Sequence, residues 1–344
     1  MEARRRVSER RSPTLKEIAD VVGAHASTVS RALRATTTGD PPSESVLRIR
    51  RVAEEMGYKP NYIAAGLRTH RTRTIGVVMP RLADGVIAVL CQAIESAAMQ
   101  AGYQILLSTP PDEVNAQLRS VEMLINRQVD GLMVSSLHLG RDEMVETILA
   151  HGVPTIAVNR RGPSSIPSVT ADDFAGGCLA AEHLLSLGHS RVGVIAGPRH
   201  ASTAWDRTCG FKSAMEAAGF PVDDALVVHS DFEVDGGVQG TTQLLKLTEP
   251  VSAIFAVNDT AAIGAIGAAR DKGLSIPDDL SLIGYNDTPL SSQLPVPLTT
   301  VRSPNVEMGT TAVEHLLRGL NGTEIPSATL PVSLIIRESA IESR

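Results

Sequence analysis

Thr14-Leu-Lys-Glu-Ile-Ala-Asp-Val-Val-Gly-Ala-His-Ala-Ser-Thr-Val-Ser-Arg-Ala-Leu33 reads as two short helices joined by a tight turn. This is the smallest unit that lays one helix in a DNA major groove. Thr14 and Glu17 have the spacing of a capping box, which satisfies orphan N–H groups at a helix start. Leu15, Ile18, Ala19 and Val22 follow at helical spacing and give one apolar face. Gly23 stands where a left-handed residue ends the helix. A second helix, about Ser27 to Leu33, is expected to turn Val29, Ala32 and Leu33 inward and Ala26, Ser27, Ser30 and Arg31 outward. Small and hydroxyl side chains beside one Arg let a backbone approach DNA while the Arg reaches a base edge or a phosphate. The competing reading is an ordinary helical hairpin with a solvated face.

Working outward, charge is divided unevenly. Residues 1–74 carry 15 Lys and Arg against 8 Asp and Glu, a net of +7, and the remainder carries 17 against 30, a net of −13. A basic head on an acidic body points to a polyanionic partner for the head alone. Met1 to Ser12, with Arg4, Arg5, Arg6, Arg10 and Arg11, is expected to be a disordered basic tail. That tail either adds non-specific attraction to phosphates or is merely solvated. At 344 residues the chain has room for two or three domains, and its 43% hydrophobic and 20% charged residues suit a globular protein with a sizeable core. Aromatics are only 3%, so that core is aliphatic. No apolar run reaches membrane-spanning length and the Arg-rich start has no apolar stretch behind it, so neither secretory signal nor anchor is expected, and a cytoplasmic location follows. Cys91, Cys178 and Cys209 lie far apart without metal-ligand spacing and are expected to be reduced, mostly buried thiols.

After a Thr-, Gly- and Pro-rich loop, Arg34 to Pro42, a third helix over about Ser43 to Met56 presents Val46, Ile49, Val52, Ala53 and Met56 to the first two. Asn61 to Arg68 is a segment that is helical only when something holds it, because Gly66 costs about 1 kcal/mol there. From Ile75 the texture changes to short apolar runs alternating with amphipathic helices. Candidate strands are Ile75–Pro80, Tyr103–Ser108, Gly131–Ser135, Thr155–Asn159, Arg191–Ala196, Ala253–Val257 and Leu280–Tyr285, with helices such as Val86–Ala101, Val114–Gln128 and Gly177–Leu187 between them. Strands and helices of these lengths imply parallel, doubly wound sheets. The series restarts near Val169–Asp173. The expected fold is thus an all-α helix-turn-helix head followed by an α/β core of two doubly wound parallel-sheet lobes, with a cleft beyond the carboxyl ends of the strands. The expected boundaries are a tail at 1–12, a head at 13–60, a hinge and linker at 61–74 and a core at 75–344. Lobe 1 comprises about 75–170 and 303–330, and lobe 2 about 171–302 and 331–344.

Six stretches, taken in order, make the chain resemble the lactose-repressor (LacI/GalR) family of bacterial transcription regulators. They are Thr28-Val-Ser-Arg-Ala-Leu33, Gly57-Tyr-Lys-Pro-Asn61, Gly188-His189, Asn258-Asp259, Gly284-Tyr-Asn-Asp287 and Pro297-Leu-Thr-Thr300. The resemblance covers nearly the whole chain. It implies a homodimer with paired DNA-binding heads, a hinge helix and a core like periplasmic sugar-binding proteins. On that resemblance Ala26, Ser27 and Arg31 read bases, and Thr28 and Ser30 bind phosphates. Asn61 to Arg68 matches the hinge helix, whose Leu67 would wedge into the minor groove. Thr14, Asn61 and Ala64 complete the expected DNA-binding set. Two departures are visible: Ala26 is small for a base reader, and Pro41-Pro42 stands where a capping Ser or Thr is common.

For the cleft, the resemblance makes Arg207, in Thr203-Ala-Trp-Asp-Arg207, the main ligand-facing cation, an Arg fork being suited to hydroxyl pairs or a carboxylate. An interlobe salt bridge is its alternative role. Asn258, Asn159 and either Asn286 or Asp287 are expected at strand ends facing the cleft, where short polar groups suit sugar hydroxyls. Asp84 lies in the first strand–helix loop, which lacks the Asn-Pro-aromatic-aromatic stretch of many relatives. Phe232 is either an aromatic wall of the cleft or a core residue. Trp205, the single Trp, either lines the cleft mouth or packs between helix and loop.

These residues lead to a ligand-responsive DNA-binding regulator, with a dimeric repressor of a palindromic operator and a small polar effector, carbohydrate first, as the leading form. The alternative is a co-repressor-dependent regulator responding to a nucleobase or another metabolite. A solute-binding protein fits the core but not the basic head. No HExxH, Walker loop, GxSxG, or GxGxxG at a strand–helix junction is present, so no enzyme, cofactor or metal site is expected. His183, His189 and His200 are scattered, and Gly264-Ala-Ile-Gly267 reads as close helix packing. The last apolar run, Pro331–Ile336, is followed by no heptad tail, which predicts dimers rather than tetramers built by a coiled coil.

Overall fold

A computed structural model describes residues 13–34, 43–58, 71–140 and 143–343. The chain divides into two compact units after His70. In the first, α1 (Leu15–Val22), α2 (Ala26–Arg34) and α3 (Glu44–Glu55) surround a small core of Ile18, Ala19, Val29, Ala32, Ile49 and Ala53. The capping box is present: Glu17 N donates to Thr14 Oγ1 at 3.3 Å, and Thr14 N donates to the Glu17 carboxylate at 2.6 Å. Gly23 closes α1 at φ +67°, a conformation only glycine adopts without steric cost. Ser43, not Pro41-Pro42, is the residue before α3.

The second unit holds two six-stranded sheets built to one plan. Its strands are β1 (Thr74–Val78), β2 (Gln104–Ser108), β3 (Gly131–Val134), β4 (Thr155–Val158), β5 (Ser168–Ala171), β6 (Val192–Ala196), β7 (Val227–His229), β8 (Ala253–Ala256), β9 (Ser281–Asn286), β10 (Thr299–Arg302), β11 (Ala328–Leu330) and β12 (Ser333–Ile335). Lobe 1 has the order β2-β1-β3-β4-β5-β11 and lobe 2 the order β7-β6-β8-β9-β10-β12. All pairings are parallel except β10 with β12, which is antiparallel. The chain therefore crosses between lobes three times, after β5, after β10 and between β11 and β12. Two crossings are tied directly, Asp172 N donating to Leu330 O at 2.8 Å.

The central strands are apolar on both faces because helices cover both, and β3, β4, β6 and β8 are buried along their whole length. Those helices are α4 (Gly85–Gln100), α5 (Val114–Asn126), α6 (Glu143–His151), α7 (Asp173–Ser186), α8 (Ser202–Ala217), α9 (Val234–Leu244), α10 (Asp259–Asp271) and α11 (Asn305–Leu320). The helix expected from Gly177 begins at Asp173, with Asp172 capping it by accepting from Ala175 N at 3.0 Å. Strands β5, β7, β10, β11 and β12 carry little sequence signal, being three or four residues long, several at sheet edges and half exposed. The three thiols are half-buried rather than mostly buried, and burial raises the pKa of each. Among the described residues no helix is long and apolar enough to cross a membrane.

Two helix pairs in lobe 2 touch backbone to backbone. A Cβ at Gly177 would collide with Arg207 O and one at Gly210 with Phe174 O, so α7 and α8 approach through glycine from both sides. Gly237 and Gly264 do the same for α9 and α10, meeting Ala261 O and Val234 O. Gly264 is thus a packing residue, as its motif suggested, whereas Gly267 has open space beside it. We expect Gly210→Ala to destabilise the core by about 1–3 kcal/mol through overpacking. Gly267→Ala should stabilise it by roughly 0.5–1 kcal/mol through helix propensity alone. Urea midpoints of the two variants, compared with the unsubstituted chain, check both signs.

Candidate functional site

In the three-helix unit, Ser27, Thr28 and Arg31 are exposed and share one face of α2, since Ser27 and Arg31 lie one turn apart. Two expected outward residues are not outward. Ser30 is buried, and Ala26 is half-buried against the helical core. Ser30 is therefore not on the exposed face that Ser27, Thr28 and Arg31 share, and Ala26 lies at its edge. His25, which no motif flagged, organises the start of the helix. Its carbonyl accepts from Thr28 N and Val29 N at 2.9 and 3.2 Å, and its Nδ1 lies 2.7 Å from Ser27 Oγ. The Thr14 hydroxyl is engaged by Glu17 in the capping box. Asn61, Ala64 and Leu67 lie outside the described residues.

In the larger unit the two lobes face each other across a nearly closed cleft of about 30 Å³, room for one or two waters, so a ligand enters only when the lobes part. Its wall includes Asp84 and Asn159 from lobe 1 and Thr203, Arg207, Phe232, Asn258 and Asn286 from lobe 2. Seven of the residues expected at the cleft are therefore brought together, from positions up to about two hundred residues apart in the chain. They converge because they lie at or just past the carboxyl ends of parallel strands, or in the first two turns of the helix that follows.

Arg207 is the most constrained of them. Its Nε donates to Asp173 Oδ1 at 2.8 Å, its Nη1 to Val257 O at 2.8 Å, and its guanidinium carbon lies 3.8 Å from the centre of the Tyr285 ring. Burial raises the Asp173 carboxyl above the ordinary carboxylate range, and the adjacent guanidinium opposes that rise. The pair lies within lobe 2, so the interlobe salt bridge is not the role of Arg207. Its fork is instead held rigid at the cleft wall by a partner 34 residues away.

Asp287 does not face the cleft. Arg337 and Arg302 each bind its carboxylate, at 2.6 and 2.7 Å, and turn it away, leaving Asn286 as the cleft residue of the pair. Both have positive φ, +107° at Asn286 and +54° at Asp287, which is how neighbouring side chains come to serve different neighbourhoods. Asn258 lines the cleft but is also tied: Oδ1 caps α10 through Ala261 N at 3.0 Å, and Nδ2 donates to Phe232 O at 2.8 Å. Asp84 likewise caps α4 through Val86 N at 2.9 Å. Trp205 is half exposed and lines a separate hollow of lobe 2 with Cys209 and Lys212, not the cleft mouth.

Sequence reasoning missed Arg81, Ser135 and Arg160 in the cleft wall and Asp173 behind it. Three of these follow the ends of β1, β3 and β4, a positional signal that could have found them. Ser135 is fully buried and its hydroxyl has no hydrogen-bond partner, a polar group left for whatever fills the cleft. Arg81 and Arg160 from lobe 1 lie 5.2 and 5.8 Å from the Phe232 ring of lobe 2, so that ring is covered by guanidinium groups. Arg81 also bridges to Glu233 at 2.6 Å, and Arg161 to Asp206 at 2.8 Å, both across the lobe boundary.

Comparison with known proteins supplies a context for this geometry. A periplasmic binding protein-like domain is matched over residues 181–340. The HTH-type transcriptional regulator DegA of Bacillus subtilis (strain 168) is 34% identical over 333 residues, covering 95% of this chain and 97% of DegA. Among solved structures, the lac repressor dimer bound to operator and the anti-inducer ONPF aligns with a TM-score of 0.85 at 27% identity, covering 96% of this chain and all of that one. A complex of the transcriptional regulator CelR with cellobiose aligns at 0.73 and 29% identity, over 95% of this chain and 99% of that one.

Removing the acid behind the cleft should be costly. Asp173→Ala leaves the Arg207 charge buried without its partner, and we expect a loss of about 3–5 kcal/mol in unfolding free energy. Chemical denaturation of the variant measures it; an unchanged midpoint would mean that solvent reaches Arg207 freely.

Proposed function

Because the chain belongs to the lactose-repressor (LacI/GalR) family of transcription regulators, and is a ligand-responsive regulator rather than an enzyme, we propose that it acts as a homodimeric repressor. In this reading it binds a palindromic operator and is gated by a small polar effector, a carbohydrate. The observation that carries the reading is the interlobe cleft, in which the pinned Arg207 fork, Asn159, Thr203, Asn286 and the unpartnered Ser135 hydroxyl offer donors and acceptors on both walls. Sugar hydroxyls both donate and accept, and a mixed lining of this kind matches them. The complex of CelR with cellobiose supports carbohydrate as the effector class.

The exposed face of Ser27, Thr28 and Arg31 supports groove entry by α2, with Arg31 reaching a base edge and Thr28 a phosphate. The lac repressor dimer on its operator supports two such heads acting together. Asn61, Ala64 and Leu67 are proposed as the segment that contacts the minor groove. Effector binding acts by differential affinity for two lobe arrangements. A hundredfold relief of repression requires about 2.7 kcal/mol of coupling.

Two measurements test this. In fluorescence anisotropy on the protein's own promoter region at fixed salt, Arg31→Ala should weaken operator binding by about 1–3 kcal/mol. Ser30→Ala should leave operator affinity unaltered, whereas loss of a phosphate hydrogen bond would weaken it. In a titration with a panel of sugars and nucleobases, one sugar should release the promoter. Arg207→Lys, which retains a charge for Asp173 but not the fork, should lower that sugar's affinity at least tenfold, about 1.4 kcal/mol, with operator affinity unchanged. Release by a nucleobase alone, or binding that appears only with added metabolite, would replace the carbohydrate-inducer reading.

A further inference from the structure

Beside the cleft, and adjoining it through Arg160, three loops bring an acid and two imidazoles together. Asp112 follows β2, His138 follows β3, and His200 follows β6, so two belong to lobe 1 and one to lobe 2. His138 Nε2 lies 2.9 Å from Asp112 Oδ1, and His200 Nε2 lies 3.3 Å from Asp112 Oδ2. The two imidazole rings are 4.0 Å apart between centroids, inclined at 32°. Their register is set by the backbone, since Leu139 N, next to His138, donates to His200 O at 2.8 Å. All three ligand atoms fall within 4.8 Å of one another.

We propose that Asp112, His138 and His200 form a binding site for one divalent transition-metal ion, zinc foremost, that clasps the two lobes together. Two imidazole nitrogens and one carboxylate are a donor set that suits zinc, cobalt, nickel or copper, and that leaves positions for water. The spacing agrees. Donors each about 2.0–2.1 Å from an ion, at tetrahedral to octahedral angles, stand roughly 2.9–3.4 Å apart, and both nitrogen–oxygen distances lie in that interval. An ion displaces the imidazole hydrogens that now reach the two carboxylate oxygens separately, and the loops adjust to bring both nitrogens to it.

The surroundings hold the acid in place. Arg160 binds both oxygens of Asp112, at 3.2 and 2.9 Å, and Gln117 Nε2 donates to Oδ1 at 2.8 Å. Such outer contacts orient a ligating carboxylate. The Arg160 charge also opposes a cation, so the site binds more weakly than a closed Cys/His structural zinc centre. The exposed side of His200 provides an entry path, its side chain being 36% accessible. Because one ligand comes from the opposite lobe, occupancy favours the closed arrangement and slows any opening of the cleft.

The test uses full-length protein freed of metal by chelation and titrated with zinc sulfate in competition with a chromophoric chelator, with cobalt as a visible reporter. One ion per chain is expected, with cobalt bands typical of nitrogen and oxygen ligation. His138→Gln and His200→Gln, which keep a polar side chain of similar reach, should each lower zinc affinity at least tenfold. His151→Gln, on an exposed helix end, should not. Zinc should raise the melting temperature of the unsubstituted protein but not of His200→Gln. Absence of stoichiometric binding, or equal binding by folded His138→Gln and His200→Gln, would overturn the proposal.

Discussion

The contact on which the cleft depends is the glycine-mediated approach of α7 and α8. With Gly177 and Gly210 at the crossing, the two backbones come close enough for Asp173 at the start of one helix to reach Arg207 on the other. Any larger residue at the crossing would part the helices and the ion pair with them. Because both charges are buried, the pair tolerates little separation, and the packing that brings it together also fixes the direction of the Arg207 fork. The same device recurs at Gly237 and Gly264, which seat α9 and α10 behind Phe232 and Asn258. Lobe 2 thus builds its wall of the cleft on two close helix pairs.

A second buried carboxylate explains why three separated sequence motifs belong together. Asp259 accepts from Thr300 Oγ1 at 2.6 Å, from Ser291 Oγ at 2.7 Å, and from the backbone N–H of Thr288 at 2.7 Å and its hydroxyl at 3.0 Å. Gly284 leaves the room this acid needs, for a Cβ there would press on Asp259 Oδ1. Asn258-Asp259, Gly284-Tyr-Asn-Asp287 and Pro297-Leu-Thr-Thr300 therefore meet at one point. Their shared role is to anchor the loop that presents Asn286 at the cleft. Fully satisfied, such a buried network specifies a single arrangement; half satisfied, it would be among the most costly features of the core.

Much of this was legible in the residues themselves. The capping box at Thr14 and Glu17, the stop at Gly23 and the seven apolar strands of four to six residues are signals in short stretches of chain, where apolar content and spacing select helix or strand. The convergence of Asp84, Asn159, Thr203, Arg207, Phe232, Asn258 and Asn286 followed from strand order and from family resemblance. The short strands β7, β11 and β12 were not legible, because three residues at a sheet edge carry too little periodicity. Ser30 was misplaced because a hydroxyl residue on a short helix gives no sign of which neighbour will cover it.

By itself, then, the sequence determined the helix-turn-helix, the alternation of strand and helix, and which strand ends carry polar groups, since each depends on residues within a few turns of one another. Only the tertiary structure decided which polar groups remain available. Asp287 is taken by two arginines, Asn258 is divided between a helix cap and a loop, and Ser135 is left without a partner. It also decided that Asp112, His138 and His200 share one carboxylate across the lobe boundary. Those outcomes depend on side chains from distant segments competing for the same hydrogen bonds, and that competition begins only once the sheets have brought the segments together.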